Sequence, residues 1–409
     1  MREQTFERIT QEYLEAARRI RRELVADRRR LHRFPEVGDR LPKTTRFVTE
    51  RLTQMGLTPV AGGPSGLVAT IVGGLPGRTL LLRADMDALP MREQSGLSFA
   101  SRTGAAHTCG HDLHTAMLLG AARLLVERRD MLAGTVKLLF QPDEEGLTGA
   151  GSMIAAGVME SPCVEAALGL HVLAGDLEAG VIGVGAGVVM ASSDRFRILI
   201  GGHGGHGAMP HGTIDPIQTG AHLLLALQGI VARENDAQNP LVITVGSFQA
   251  GTAANVIPEQ AILAGTVRTM DSAVRTFARK RIDEIAHATA ATFRCSCEVV
   301  WEGAVPPLVN QPELAGRVRA WVAPIAKRLC KLDPMMGSED FALFAERVPS
   351  VFLFLGAADP DPAYREYGGH HPRVRFNEDV LPLGAAVLSS CAAHWLVEHP
   401  LSPNGHSPR

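Results

Sequence analysis

Between residues 67 and 172 the apolar residues gather in short, nearly continuous runs: LVATIVG (67–73), TLLLRA (79–84), TVKLLF (135–140) and AALGLHV (166–172). SVFLFLG (350–356) repeats the texture far downstream. Runs of this length, rich in β-branched and aliphatic residues, predict strands, and the longer HTAMLLGAARLLVE (114–127) predicts a helix between them. A strand with no polar alternation has both faces covered. The pattern therefore predicts an α/β fold with much parallel pairing, whose ligand sites lie at the carboxyl ends of the strands.

The texture changes between about residues 192 and 302. RFRILI, AHLLLALQGIVARE, LVITVGSF, QAILAGTVRT, FARKRIDEIAHATAATF and CEVVWEG read in turn as β-α-β-β-α-β, a self-contained α+β sandwich. The expected organisation is a larger domain split into residues 1–190 and 303–409, with a smaller domain inserted at 191–302. The first thirty residues, charged at helical spacing, predict an amphipathic surface helix. They hold no apolar run of signal-peptide length, and no segment is expected to reach the ~20 apolar residues that cross a bilayer.

Length and composition narrow the function. With 409 residues the chain exceeds the usual domain of about 150 and favours two. Its 45% hydrophobic content excludes a disordered chain. The net charge of -2 offers no field for a polyanion, and 5% aromatics supply few stacking platforms, so neither nucleic acid nor membrane is expected as a partner. Six cysteines without an export signal argue against a disulfide framework and for a reducing cytoplasm.

The polar residues fall in one place. Asp85-Met86-Asp87 follows one predicted strand, Gln141-Pro142-Asp143-Glu144-Glu145-Gly146 follows a second, and His171 ends a third. Cys109-Gly110-His111-Asp112-Leu113-His114 opens the long helix, and His370-His371-Pro372 follows the last strand. Each piece alone suits an ordinary buried cysteine, a satisfied histidine or a solvated turn. Together they gather carboxylates at one sheet edge without nearby cations, which a divalent metal would relieve, and thiolate, imidazole and carboxylate are its ligand set. Gly202-His203-Gly204-Gly205-His206-Gly207 matches a dinucleotide fingerprint by spacing alone. Pro210 and the polar loop to Asp215 delay the helix that such a motif requires.

RADMDALP (83–90), HTCGHDLHTAMLLGAA (107–122), LLFQPDEEG (138–146), GLHV (169–172), GGHGGHGAMPH (201–211), GTAANVIPE (251–259), GTVRT (265–269), GSEDFA (337–342) and HHPRVRFNED (370–379) resemble, in order, the signatures of the M20 metallopeptidase family. They are similar in particular to its aminoacylase, hippurate hydrolase and auxin-conjugate hydrolase branch. The resemblance implies a two-metal centre held by Cys109, His111, Glu145, His171 and His370, with Cys109 as bridge, Glu144 as general base and Asp87 orienting the site. It also implies that His206 helps hold the oxyanion, that Asn255 and Arg268 contact the substrate carboxylate, and that the chain forms a homodimer through the inserted domain.

The expected activity is hydrolysis of N-acyl or N-aroyl amino acids with two divalent ions per subunit, Zn or Mn first, Co or Ni also compatible. A metallo-dipeptidase or an N-acetyl-diaminopimelate deacetylase-like enzyme would share every catalytic residue. A catalytically inactive metal-binding or interaction protein is the reading of another class, against which stands Glu144 beside a complete ligand set.

Overall fold

The computed structural model describes residues 2–175 and 177–400. The chain forms two compact units, residues 1–187 with 309–333 and 343–409, and residues 188–308 with 334–342. The first is built on an eight-stranded sheet. Its order is Val60–Ala61, Leu67–Val72, Ala133–Gln141, Leu75–Asp85, Ala166–Leu173, Ser350–Gly356, Val181–Gly183 and Arg328–Cys330. The central strands Ala133–Gln141, Leu75–Asp85, Ala166–Leu173 and Ser350–Gly356 run parallel. Leu67–Val72 pairs antiparallel with Ala133–Gln141 and with the edge strand Val60–Ala61. Leu80, Leu81 and Leu82 point to alternate faces, yet none has exposed surface, as expected of a sheet covered on both sides. The α/β architecture expected from the apolar runs is thus present.

Helices His111–Val126 and Leu381–Glu398 pack against each other under this sheet, and small residues set their separation. A Cβ at Gly384 would lie 2.2 Å from Met117 Sδ, and one at Gly120 would lie 3.0 Å from Ala385 Cβ. Two expectations are corrected here. The first thirty residues do not form one surface helix but two, Arg2–Arg19 and Arg21–Arg33, whose inner faces bury Tyr13, Ala17, Leu24 and even Arg28. The many arginines disguise this in sequence, because Arg28 is compensated by distant acids: it bonds Asp112 at 2.8 Å and Glu378 at 3.0 Å. Second, Glu378–Glu398 is in fact long and apolar enough to cross a membrane by composition. It is a core helix, with 89% of its most apolar 18 residues buried inside the fold.

In the second unit, strands Leu241–Ala250, Gln260–Thr269, Ser193–Gly201 and Ser296–Val305 form, in that order, an antiparallel sheet. Helices Pro216–Gly229 and Ser272–Thr292 cover it, burying Ile198, Ile200, Leu263 and Ile282. Asp215 and Asp271 cap the helices by accepting amide hydrogens of the first turn. Asp194 is fully buried against Arg275 and Arg279. The unit also takes residues 334–342 from far downstream, a feature invisible in local sequence.

Candidate metal centre

Strand ends of the first unit deliver the polar residues. Leu75–Asp85 ends at Asp85, and Asp87 follows two positions on, both buried. The helix opens at His111 after Gly110, which sits at φ 95°, and any Cβ there would lie 2.4 Å from Val172 Cγ2. Only glycine allows Cys109 and His111 to approach the strand Ala166–Leu173 so closely. After Ala133–Gln141 the chain turns through Asp143 and Leu147, both at positive φ, and Leu147 donates its amide hydrogen to the Glu144 carbonyl. The tightened turn is what lets neighbouring glutamates face the same side.

Distances then define the cluster. Cys109 Sγ is 3.3 Å from His171 Nε2, and His370 Nε2 is 3.1 Å from Glu145 Oε1. His111 Nε2 lies 4.0 Å from a carboxylate oxygen of each of Glu144 and Glu145. Potential ligand atoms fall into overlapping sets within 4.8 Å: Cys109, His111 and His171; Cys109, Glu145 and His370; His111, Glu144 and Glu145. Cys109 belongs to two of the three.

Supporting groups fix these side chains. Asp87 Oδ1 lies 3.2 Å from His111 Nδ1 while Asp87 Oδ2 accepts the Glu145 amide hydrogen at 3.2 Å, so one carboxylate holds a histidine and the backbone of a glutamate. His171 Nδ1 bonds the Val172 carbonyl at 2.7 Å, which puts the proton on Nδ1 and turns the Nε2 lone pair toward Cys109. His370 adopts φ 65° and donates its amide hydrogen to the Thr108 carbonyl at 2.9 Å, aiming its ring at Glu145. His371 turns elsewhere: its Nδ1 accepts the Arg373 amide hydrogen and its ring stacks on Tyr367.

The donor set fits divalent metal. His111 Nε2 is buried without a hydrogen-bond partner, a costly arrangement that coordination would relieve. Burial, with His114 nearby, keeps His171 well below the ordinary imidazole range, so it is neutral and able to ligate. Burial, reinforced by the charges of Glu145 and Asp85 and opposed by His111, pushes the Cys109 thiol up to about 12, and an adjacent metal cation would make it a thiolate.

The second unit carries the remaining candidates. His206 pairs with Val256 in a two-stranded ribbon, and Gly207 donates to the Asn255 carbonyl, so His206 and Asn255 share one exposed loop cluster. Arg268 lies on Gln260–Thr269, where its guanidinium donates to Ser338 Oγ. Sequence reasoning assigned no role to Asp85 or His114, although both belong to quoted motifs. Their signal was spacing: His114 stands one helical turn after His111, and Asp85 shares a strand face with Arg83.

The profile described as peptidase family M20/M25/M40 matches residues 81–394. Thermostable carboxypeptidase 1 of Saccharolobus solfataricus is 38% identical over 91% of this chain and 95% of its own length. IAA-amino acid hydrolase ILR1-like 2 of Arabidopsis thaliana is 38% identical over 92% of this chain and 85% of its own. The solved structure of the Bacillus subtilis YXEP protein, a dinuclear metal binding peptidase from the M20 family, superposes with a TM-score of 0.78. It is 32% identical, covering 93% of this chain and 99% of that one.

Proposed function

The chain belongs to peptidase family M20/M25/M40, a metal-dependent hydrolase of amide C–N bonds, and from that premise we propose that it cleaves N-acyl or N-aroyl amino acids to a carboxylic acid and a free amino acid. The observation that carries this reading is the pair of three-residue ligand sets sharing Cys109, with Glu144 beside them. Cys109, His111, Glu145, His171 and His370 would hold two divalent ions, Cys109 bridging. The thiol and imidazoles favour Zn, and the carboxylates admit Mn, Co or Ni. Such ions, when bound, acidify a water and polarise the scissile carbonyl.

Glu144 is buried apart from one edge and lies within 4.0 Å of His111. In this reading it takes a proton from the attacking water and passes it to the leaving amine. Asp87 holds His111 and the Glu145 backbone so that neither rotates during turnover. Arg268 is half-buried, has no acidic partner within 4 Å among the described residues, and is burdened by burial and by the charge of Arg195. A guanidinium whose charge is only partly offset, by Asp194, suits the free carboxylate of an amino acid, with Asn255 as a second contact and His206 as donor to the oxyanion. We assign these three to the lid, and a homodimer to the same unit. The edge strand Leu241–Ala250 is consistent with that assignment: it pairs on one side only and exposes Val242 and Phe248.

The test strips the purified protein, restores Zn, Mn, Co or Ni in turn, and measures amino acid release from N-acetyl, N-benzoyl, indole-acetyl and long-chain acyl amino acids. Release from at least one is expected, and no release from a fully loaded protein would make it an inactive metal-binding protein. The carboxypeptidase relative favours a second reading, a metallo-dipeptidase. Dipeptides in the same panel separate the two.

A further inference from the structure

His114 is fully enclosed on the first turn of the His111–Val126 helix, with its ring 4.6 Å from that of His171 and 5.4 Å from that of His111, centroid to centroid. Its potential ligand atom, with those of His111 and Asp85, makes a further set within 4.8 Å. On distance alone this would be another metal position. The hydrogen bonds say otherwise. His114 Nδ1 lies 2.6 Å from Asp85 Oδ1, and His114 Nε2 accepts the amide hydrogen of Val172 at 2.9 Å. An acceptor at Nε2 requires the proton on Nδ1, where it is donated to Asp85. Both ring nitrogens are then used, and no lone pair remains for a cation.

The same bonds tie His114 to its neighbour's orientation. Val172 gives its amide hydrogen to His114 and its carbonyl to His171 Nδ1. The backbone that dictates the His171 tautomer is itself pinned by His114. Asp85 is pinned in turn: Arg83 donates to its Oδ2 at 2.8 Å and to Gln141 at 2.9 Å, and Thr115 donates to its carbonyl. Every group in this chain is at most 2% exposed apart from His171, which faces the cluster.

We propose that His114 is a positioning residue: anchored by Asp85, it clamps Val172 and so fixes the ring angle and tautomer of His171 for metal binding. This rests on the reading of His171 as a ligand. A group that only holds a ligand's second bond commonly changes metal affinity by about 10- to 100-fold, without removing the site.

The experiment compares wild type, His171→Ala, His114→Phe, His114→Gln and Asp85→Asn as cobalt-loaded proteins. It measures cobalt stoichiometry, affinity in competition with a chromophoric chelator, and the visible cobalt spectrum at saturation. His114→Phe keeps the ring volume and removes both bonds; we expect two ions at saturation, one of them bound about 10- to 100-fold more weakly, and a shifted spectrum. His114→Gln can donate to Asp85 and accept from Val172, and should recover most of the wild-type spectrum, which a merely space-filling role would not predict. Should His114→Phe not fold, Asp85→Asn carries the same spectral test with a smaller shift expected. If His171→Ala loses one ion while His114→Phe, or in its place Asp85→Asn, shows wild-type affinity and spectrum, the positioning role is overturned. If His171→Ala still binds both ions tightly, the ligand reading itself fails.

Discussion

Acid should destabilise the first unit through one histidine remote from the metal centre. His394 lies on the core helix Leu381–Glu398 with no exposed surface, edge-on to Phe6 and beside Trp321. Its Nε2 bonds the Thr10 hydroxyl at 2.7 Å, that hydroxyl also reaches the Trp321 carbonyl, and its Nδ1 has no partner. Burial without an acid holds its pKa down at about 4, against 6.5 for a free imidazole. The native state therefore binds fewer protons than the unfolded chain between those values, so the stability it supports is complete above pH 6.5 and lost as pH falls toward 4. At 1.36 kcal/mol per unit the whole effect is about 3 kcal/mol, of which about 2 falls between pH 7 and pH 5. His394→Phe removes the titration while leaving Thr10 bonded to Trp321. Urea unfolding of metal-stripped wild type and variant, followed by tryptophan fluorescence, should show the variant gaining about 2 kcal/mol relative to wild type from pH 7 to pH 5. Because other acid-sensitive groups are common to both proteins, parallel curves would refute the reasoning.

Glu144→Gln should keep both metals and lose several orders of magnitude in kcat, whereas Cys109→Ala and Glu145→Ala should lose metal; elemental analysis beside kinetics decides, and a loaded, active Cys109→Ala would overturn the ligand assignment. Stripping metal with a chelator should abolish activity and adding Zn or Mn should restore it, so an unchanged rate after verified removal would end the metal reading. If the lid histidine acts across a dimer, mixing Glu144→Gln with His206→Ala should return roughly a quarter of wild-type activity after subunit exchange, and none if His206 works within its own chain. Gly384→Ala sets a methyl group against Met117 and should lower stability by about 1 to 3 kcal/mol in denaturant titration, with the separation of two helices at stake rather than the site.

Apolar texture and strand-end chemistry were legible because they are local. Continuous aliphatic runs can only be buried on both faces, and polar residues at their carboxyl ends converge once the runs lie parallel. What escaped was compensation at a distance. Arg28 looks like a surface charge until Asp112 and Glu378 are seen around it. The apolar character of Glu378–Glu398 is explained by the helices and sheet packed around it. His114 has no role legible in the sequence, because the Val172 amide at its second nitrogen comes from a separate strand. His370 and His371 also differ in conformation, His370 having a positive φ and an amide bond to Thr108 that local sequence does not encode.

The order of the donors along the chain bears on how the centre is made during synthesis. Cys109, His111, Glu145 and His171 all precede the second unit, and His370 follows it. A ribosome must therefore complete the whole second unit before the last imidazole emerges, and until then Glu145 waits without the partner it bonds in the finished fold. On the proposed ligand assignment, a nascent chain at that stage holds four donors and no closed centre. If the five assigned donors hold the metal, hydrolysis begins only after residue 370 has been made, and an interrupted chain ending before it would release no amino acids while still tethered to its template.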